Sequence, residues 1–364
     1  MAKNEKIKYY SLKRIDEIHA QYNIIIGERS NGKTFAVLDK ILQTYFTTRK
    51  QGAIVRRWQD DFKGKRAPSM FSPLVAAGLV YKYSKGQWDR VEYRSGCWYP
   101  ARYDDQTDTV VRAEDPFCYA FALSSMEHDK STSYPNVTTI CFDEFLTRGY
   151  YLVDEFVLFM NVVSTIVRQR VDVTIYMLGN TVNWTCPFFT EMGIKHIRDM
   201  AQGSIDVYEY GESGLKVAVE YCKSIADSKK SNVYFAFDNP RLQMITSGAW
   251  ELDIYPHLPV KYKPSEVKGI FFILFEGDIL QCELVVHGHN PFIYIHRKTT
   301  EIKDTDNDVI FALNNDYRMN HYQSLVRPRD KRTQAIAFLF KQNKIYYQDN
   351  EIGEIVRNYR QASD

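Results

Sequence analysis

The sequence lacks long apolar runs. Candidates such as residues 271–275 have the length of a strand, whereas a helix that crosses a bilayer needs about 20 apolar residues. Residues 1–6 are polar and no apolar segment follows them, so we expect neither a secretory signal nor a membrane partner. With 45% hydrophobic and 25% charged residues, the composition excludes a disordered protein, a collagen and a coiled coil.

Cysteine is scarce and scattered. None of the 6 cysteines forms a C-x-x-C pair, and no cluster of histidines accompanies them. Neither a zinc site nor a redox motif is therefore predicted. Isolated thiols in a long chain are typical of proteins in a reducing cytoplasm.

The chain has little net charge, but the charge is unevenly spread. The formal charge is +2, yet residues 1–100 hold 19 Lys and Arg against 9 Asp and Glu. An anionic partner near the N-terminal half is one interpretation, and a solvated basic face is the other.

The first two hundred residues alternate between strand and helix patterns. Such alternation favours an α/β fold with a mostly parallel sheet. Short segments with turn residues over 80–123 indicate a β-hairpin insertion. Strands are predicted at 22–26, 53–58, 137–142 and 173–178, and helices at 33–47 and 155–167.

The pattern changes after about residue 200. Glycine and proline punctuate a poorly periodic stretch, which we interpret as a linker segment or small linker domain over 204–264. Strands separated by turns return from residue 267, and a helix is predicted at 333–341. The predicted organisation is a first domain over 1–203, the linker, and a smaller α+β domain over 265–364.

A phosphate-binding loop follows the first strand. Residues 27–34 match G-x-x-x-x-G-K-[ST] at every defined position, between an apolar strand and a helix. Backbone N–H groups of such a loop and the helix N-terminus bind phosphate oxygens. Lys33 is predicted to contact the β- and γ-phosphates of ATP, and the Thr34 hydroxyl to bind Mg²⁺. The predicted nucleotide-binding residues are Gly27, Glu28, Arg29, Ser30, Asn31, Gly32, Lys33 and Thr34.

Two carboxylates end the strand at 137–142. Asp143 is placed to hold Mg²⁺, and Glu144 to orient and deprotonate an attacking water. The long separation between Lys33 and Asp143 leaves room for an extra strand, for which 53–58 is the candidate. This arrangement is that of the additional-strand class of P-loop ATPases.

Further polar residues flank the next strand. Asn180 follows residues 173–178, where it could contact the attacking water or the γ-phosphate, although a turn-forming Asn is an equal interpretation. Arg168 or Arg170, at the end of the preceding helix, could neutralise a γ-phosphate in a neighbouring subunit. Position alone does not choose between these arginines, and a surface ion pair is the alternative.

The motifs in residues 24–180 resemble those of the phi-29-type bacteriophage DNA-packaging ATPases. The matching blocks are IIIGERSNGKTFA at 24–36, IVRRW at 54–58, KSTSYPNVTTICFDEFL at 130–146, and IVRQR with the following LGN within 166–180. The resemblance implies a homo-oligomeric ring, usually a pentamer, that works in the host cytoplasm while docked on the capsid portal. Such a ring drives double-stranded DNA into a procapsid by ATP hydrolysis, and a structural RNA scaffold is a further possible partner.

The resemblance also assigns individual roles. It implies that Arg168 acts in trans, that Lys130 is a second basic residue acting in trans, and that residues 265–364 form an RNase H-like domain without catalysis. A motor that moves every sequence has to grip the DNA backbone. The basic loop after IVRRW, with Lys63, Lys65 and Arg66, is the predicted DNA contact. The alternatives are another ring translocase or a helicase, and a scaffold protein gated by ATP.

Overall fold

The computed structural model describes residues 9–128, 133–223, 249–250 and 252–363. The chain divides into two compact units, residues 1–251 and 252–364. Lys130 lies outside the described residues. Among the described helices, none is both long and apolar enough to cross a bilayer.

The first unit is an α/β structure around one large sheet. Its described strands are β1 (Tyr22–Gly27), β2 (Gln51–Arg56), β3 (Arg90–Arg94), β4 (Cys97–Asp104), β5 (Thr109–Arg112), β6 (Cys118–Ala122), β7 (Val137–Asp143), β8 (Thr174–Asn180), β9 (Ile205–Tyr210) and β10 (Leu215–Tyr221). Its described helices are α1 (Lys13–Asp16), α2 (Lys33–Thr48), α3 (Arg66–Ser69), α4 (Ser72–Ala76), α5 (Leu79–Tyr83), α6 (Glu155–Val167) and α7 (Pro187–Glu191). Short 3₁₀ segments lie at Gln59–Phe62, Leu123–His128, Ile197–Asp199 and Gly211–Ser213.

The centre of this sheet is parallel. The strand order is β3-β4-β6-β2-β7-β8-β1-β10-β9, and β5 pairs with β4. All neighbours from β6 to β10 in this order run parallel, whereas β3, β4, β5 and β9 pair antiparallel. Every residue of β1 is buried, as expected for a central parallel strand that is covered on both faces. The predicted α/β class with a mostly parallel sheet is confirmed.

The strand that separates the phosphate-loop strand from the carboxylate strand is β8. It pairs with β1 on one side and with β7 on the other, and β2 pairs with the opposite edge of β7. The strand predicted at 53–58, between the two motifs along the chain, is β2 (Gln51–Arg56), but in the sheet it lies on the far side of β7 from β1. Order along the chain does not specify order across a sheet when every connection is a crossover.

Two other boundaries differ from the sequence pattern. The predicted hairpin insertion at 80–123 begins with helix α5, and its last strand, β6, pairs parallel to β2 in the main sheet. The predicted linker at 204–264 contains β9 and β10, and β10 pairs parallel to β1. The boundary expected at residue 203 thus falls inside the first unit.

The second unit is a mixed sheet with two helices. Its strands are β11 (Val267–Phe275), β12 (Asp278–His287), β13 (Asn290–Arg297), β14 (Val309–Ala312), β15 (His321–Tyr322) and β16 (Ile345–Tyr347), and its helices are α8 (Lys331–Lys341) and α9 (Asn350–Ser363), with a 3₁₀ segment at Pro264–Glu266. The order β15-β14-β11-β12-β13-β16 combines an antiparallel meander, β11 to β13, with parallel neighbours on both sides.

We predict that Gly52→Ala destabilises the first unit. A Cβ atom at this position of β2 would lie 2.5, 2.8 and 2.9 Å from three side-chain atoms of Ile41 in α2, and overpacking of this kind costs about 1–3 kcal/mol. Thermal unfolding of Gly52→Ala, Ile41→Ala and the double variant measures the effect. The double variant should lose less stability than the two single variants combined; strict additivity would contradict the predicted clash.

Candidate active site

The phosphate-loop residues connect the end of β1 to the start of α2. Gly27 is the last residue of β1, and Gly32 precedes the first helical residue, Lys33, with a φ of 93°. Such a φ favours glycine because a side chain would clash with the backbone. Gly32 has no side chain to cap α2, and the Lys33 N–H donates to Asn31 Oδ1 at 3.2 Å. Backbone N–H groups at a helix N-terminus of this kind suit a phosphate.

Lys33, the first residue of α2, is buried against the phosphate-binding loop that precedes it. Its Nζ atom donates hydrogen bonds to the carbonyl of Glu28 at 2.7 Å and to the Oδ1 atoms of Asn31 and Asn180 at 3.2 and 3.3 Å. Burial lowers the pKa of the Lys33 ammonium to about 8, although nearby groups including Asp143 oppose that shift. An anionic partner such as a phosphate would stabilise the protonated form of Lys33.

Thr34 and Asp143 meet at the carboxyl edge of the sheet. The Thr34 hydroxyl donates to Asp143 Oδ1 at 3.0 Å, which joins the start of α2 to the end of β7. Burial raises the pKa of the Asp143 carboxyl above its usual value; Arg56 opposes the rise, and Glu144 adds to it. A hydroxyl and a buried carboxylate fit Mg²⁺, which prefers oxygen ligands and binds through few protein groups. Among the described residues, no group of three or more His, Cys, Asp or Glu could hold a metal ion.

Arg56, the last residue of β2, pairs with both carboxylates. Its Nη2 atom lies 2.7 Å from Asp143 Oδ2, and its Nη1 atom lies 2.5 Å from Glu144 Oε2. The Glu144 side chain is 63% exposed, whereas that of Asp143 is only 6% exposed. Arg56 thus compensates the buried charge of Asp143 and at the same time holds Glu144 by its carboxylate.

Most of the predicted site residues, but not Gly27 or Glu28, line one cleft with a volume of about 1060 Å³, and Arg57 lines it too. Asn180, at the end of β8, lies opposite Gly27 in the pairing of β8 with β1. Trp58 and Asp61, which lie just before the predicted DNA loop, also line the cleft. The lining includes Arg29, Ser30, Asn31, Gly32, Lys33, Thr34, Asp143, Glu144 and Asn180.

The two candidate arginines lie after α6, and neither lines the cleft of its own chain. Arg170 donates to the carbonyls of Tyr134, Pro135 and Val137 at 3.2, 3.1 and 2.7 Å, and so fixes the approach to β7. Arg168 follows the last residue of α6 directly.

The predicted DNA loop is exposed. Lys63 pairs with Asp60 at 2.8 Å, and Arg66 lies 3.8 Å from Asp61. The side chains of Lys63 and Arg66 are 70% and 68% exposed, and Lys65 is also exposed. Exposed ion pairs of this kind are weak, so these cations can exchange their partners for phosphate groups.

Sequence reasoning left the roles of Arg56 and Arg57 open and missed Glu155. Arg57 is buried and pairs with the buried carboxylate of Glu155, the first residue of α6, at 2.7 Å. The presence of two consecutive arginines at the end of an apolar strand is the sequence feature that points to a functional role for Arg56 and Arg57. A glutamate at the start of a helix pattern gives none, because that position normally stabilises the helix by itself.

Comparisons with known proteins show similarity to viral DNA packaging proteins. The family model described as podovirus DNA encapsidation protein (Gp16) matches residues 113–361, more than half of the chain. A DNA packaging protein of Bacillus phage B103 is 24% identical over 176 residues, which cover 47% of this chain and 48% of the relative. The DNA packaging protein of Bacillus phage phi29 is 23% identical over 189 residues, 51% of this chain and 50% of the relative. The match thus spans about half the length of these relatives.

Two solved structures resemble the fold over nearly the whole chain. The phi-28 gp11 DNA packaging motor gives a TM-score of 0.53 at 18% identity and covers 98% of each chain. The bacteriophage phi-29 viral genome packaging motor assembly gives 0.54 at 18% identity and covers 97% of this chain and 99% of that one. At this identity the likeness establishes the fold.

We predict that nucleotide binding at pH 8 is coupled to proton uptake by Lys33. With a pKa of about 8, Lys33 is about half protonated at that pH, and a bound phosphate would raise its pKa, so roughly half a proton should be taken up per nucleotide. Calorimetric titration in buffers of different ionisation enthalpy measures the uptake. Lys33→Arg keeps its charge and should abolish the uptake; equal uptake by both proteins would contradict the assignment.

Proposed function

This chain belongs to the podovirus DNA encapsidation protein (Gp16) family, and on that premise we propose that it hydrolyses ATP to drive double-stranded DNA into a viral procapsid. The observation that carries the proposal is the convergence of Lys33, Thr34, Asp143, Glu144 and Asn180 on one cleft. The hydrogen bond of 3.0 Å between Thr34 and Asp143 connects the two halves of that site. A binding switch has no need of Glu144, whereas hydrolysis of a phosphoanhydride needs a group that orients and deprotonates water.

Each polar group in the cleft has a distinct task in this proposal. Lys33 and the α2 N-terminus bind the phosphates, and Asn180 positions the terminal phosphate or the water. Thr34 and Asp143 would hold Mg²⁺, which neutralises charge on the phosphate oxygens when it is bound. Glu144 accepts the proton of the attacking water.

The ion pair between Arg56 and Glu144 has a direct consequence for this chemistry. Glu144 Oε2 accepts a hydrogen bond from Arg56 Nη1 at 2.5 Å, so the guanidinium holds the carboxylate that would have to contact the attacking water. Glu144 therefore has to leave Arg56 before it can act on water. The side chain of Glu144 is mostly exposed, so this movement requires no repacking of the core.

We propose that the protein hydrolyses ATP and moves DNA as an oligomer. Arg168 of one subunit would neutralise charge on the nucleotide of the next, and Lys130 would be a second such residue. The ring, which we propose to be a pentamer, would dock on the capsid portal in the host cytoplasm, with a structural RNA as a further possible partner. Lys63, Lys65 and Arg66 would contact the DNA backbone, and the second unit would bind nucleic acid or portal without nuclease activity.

Translocation is tested by displacement of a third strand annealed to duplex DNA. We expect the purified protein to release the third strand only with ATP and Mg²⁺, because a translocating motor removes what blocks the duplex. Replacement of Lys63, Lys65 and Arg66 by Ala should reduce the release along with duplex binding, because phosphate contacts supply the grip. Separation of the duplex strands would instead indicate a helicase, and DNA binding gated by ATP without multiple turnover would indicate a scaffold.

We predict that Arg168→Ala and Glu144→Gln are each inactive alone and complement each other when mixed. In an equal mixture, about a quarter of the interfaces would pair an intact Glu144 with an intact Arg168 of the neighbour, which restores the arrangement that arginine fingers need. Steady-state ATP turnover of the mixture measures this recovery, and Arg102→Ala, an exposed arginine on β4, is the matched control. Wild-type turnover by Arg168→Ala alone, or a mixture as slow as its components, would contradict action in trans.

A further inference from the structure

We propose that Arg57 is a positioning residue for Glu144, that it acts through the backbone of the turn after β7, and that Glu155 holds it in place. This inference rests on the proposed function, because it takes Glu144 as the base. Arg57 would not touch the reacting atoms. Arg57 would fix the backbone of the turn, and thereby the direction in which the Glu144 side chain projects from the sheet.

The turn after β7 adopts an unusual backbone conformation. Glu144 has a φ of 60°, in the left-handed region that residues with side chains seldom occupy. The surrounding structure has to hold such a residue in place, and residues of this kind cluster at functional sites. One contact that does so is the hydrogen bond from the Phe145 N–H to the carbonyl of Leu178 in β8, at 3.2 Å.

Arg57 holds the other side of the same turn. Its Nη2 atom donates to the carbonyl of Phe145 at 2.7 Å, and its Nη1 atom lies 3.5 Å from the carbonyl of Glu144. Phe145 itself is fully buried against Phe142, Phe188 and Phe189. The turn is therefore fixed by a buried ring on one side and by a guanidinium on the other.

Glu155 compensates the charge of Arg57 and fixes its orientation. Its two carboxylate oxygens accept from Nε and Nη2 of Arg57 at 2.7 and 2.8 Å, a forked geometry that specifies the plane of the guanidinium. The Leu152 N–H donates to the same carboxylate at 2.8 Å. The ring of Tyr151 lies 4.9 Å from the guanidinium carbon. The segment between the carboxylate turn and α6 thus closes around Arg57.

A purely structural ion pair would not account for this arrangement. Two buried charges are often no more stabilising than a well-packed apolar pair. The fork of Arg57 binds a carboxylate through two nitrogens and contacts a turn carbonyl at the same time; an apolar side chain can do neither, and a lysine lacks the planar fork that fixes this geometry. The neighbouring Arg56 holds the side chain of Glu144 at 2.5 Å. Consecutive residues at the end of β2 thus hold the side chain and the backbone of one catalytic group.

The test compares Arg57→Lys and Glu155→Gln with the wild-type full-length protein. Both substitutions keep the approximate size of the side chain but break the fork, so Glu144 should move relative to the nucleotide. We expect kcat for ATP hydrolysis to fall by about 10- to 100-fold, because small misplacements of a catalytic group have effects of this order. The KM and the Kd of a fluorescent ATP analogue should change less than about threefold, since the phosphate-binding residues are unaltered and the lost interaction is one made only in the transition state.

A matched control separates this effect from a general loss of ion pairs. Arg297→Lys breaks the pairs of Arg297 with Asp278 and Glu351 in the second unit, and we expect it to leave kcat unchanged. Unchanged kcat in Arg57→Lys, or a fall in kcat matched by equal losses in nucleotide affinity and melting temperature, would overturn the inference. A wild-type protein without any turnover would overturn the proposed function and the inference together, so the two failures are distinguishable.

Discussion

The cleft depends on how the sheet compensates charge at the carboxyl ends of its parallel strands. Asp143 is almost fully buried there, and burial raises its pKa, so the carboxylate needs a cation close by. Arg56, at the end of the neighbouring β2, supplies that cation and also holds Glu144. Arg57 and Glu155 form a second such pair, in which both side chains are buried. The position of the reacting groups thus follows from which residues end β2 and β7.

The sequence predicts the chemistry of this site better than its layout. Residues 27–34 and the pair Asp143 and Glu144 are local patterns with a strict spacing, so they can be identified without a structure. Order across the sheet is set by packing between distant segments. The strand between the two motifs along the chain, β2, is therefore not the strand between β1 and β7 in the sheet, which is β8. Helix α9 was not predicted, although Ile352, Ile355, Val356 and Tyr359 on its buried face recur at helical spacing.

The chain connects the cleft to the predicted DNA loop by a short path. Arg56 and Arg57 immediately precede Trp58 and Asp61, which line the cleft, and Lys63 and Arg66 follow within a few residues. We therefore propose that a shift of the basic loop on DNA moves the end of β2, and with it the carboxylate and the backbone of Glu144. DNA contact and release of the base from Arg56 would then be two parts of one movement.

The most direct measurement of the account is ATP turnover by the purified protein with and without double-stranded DNA, beside the same measurement on Glu144→Gln. The account predicts that duplex DNA accelerates turnover, because contact with the loop frees Glu144, and that the substitution removes the acceleration while nucleotide still binds. Turnover that is indifferent to duplex DNA, or that survives in Glu144→Gln, would contradict a DNA-coupled motor with Glu144 as its base.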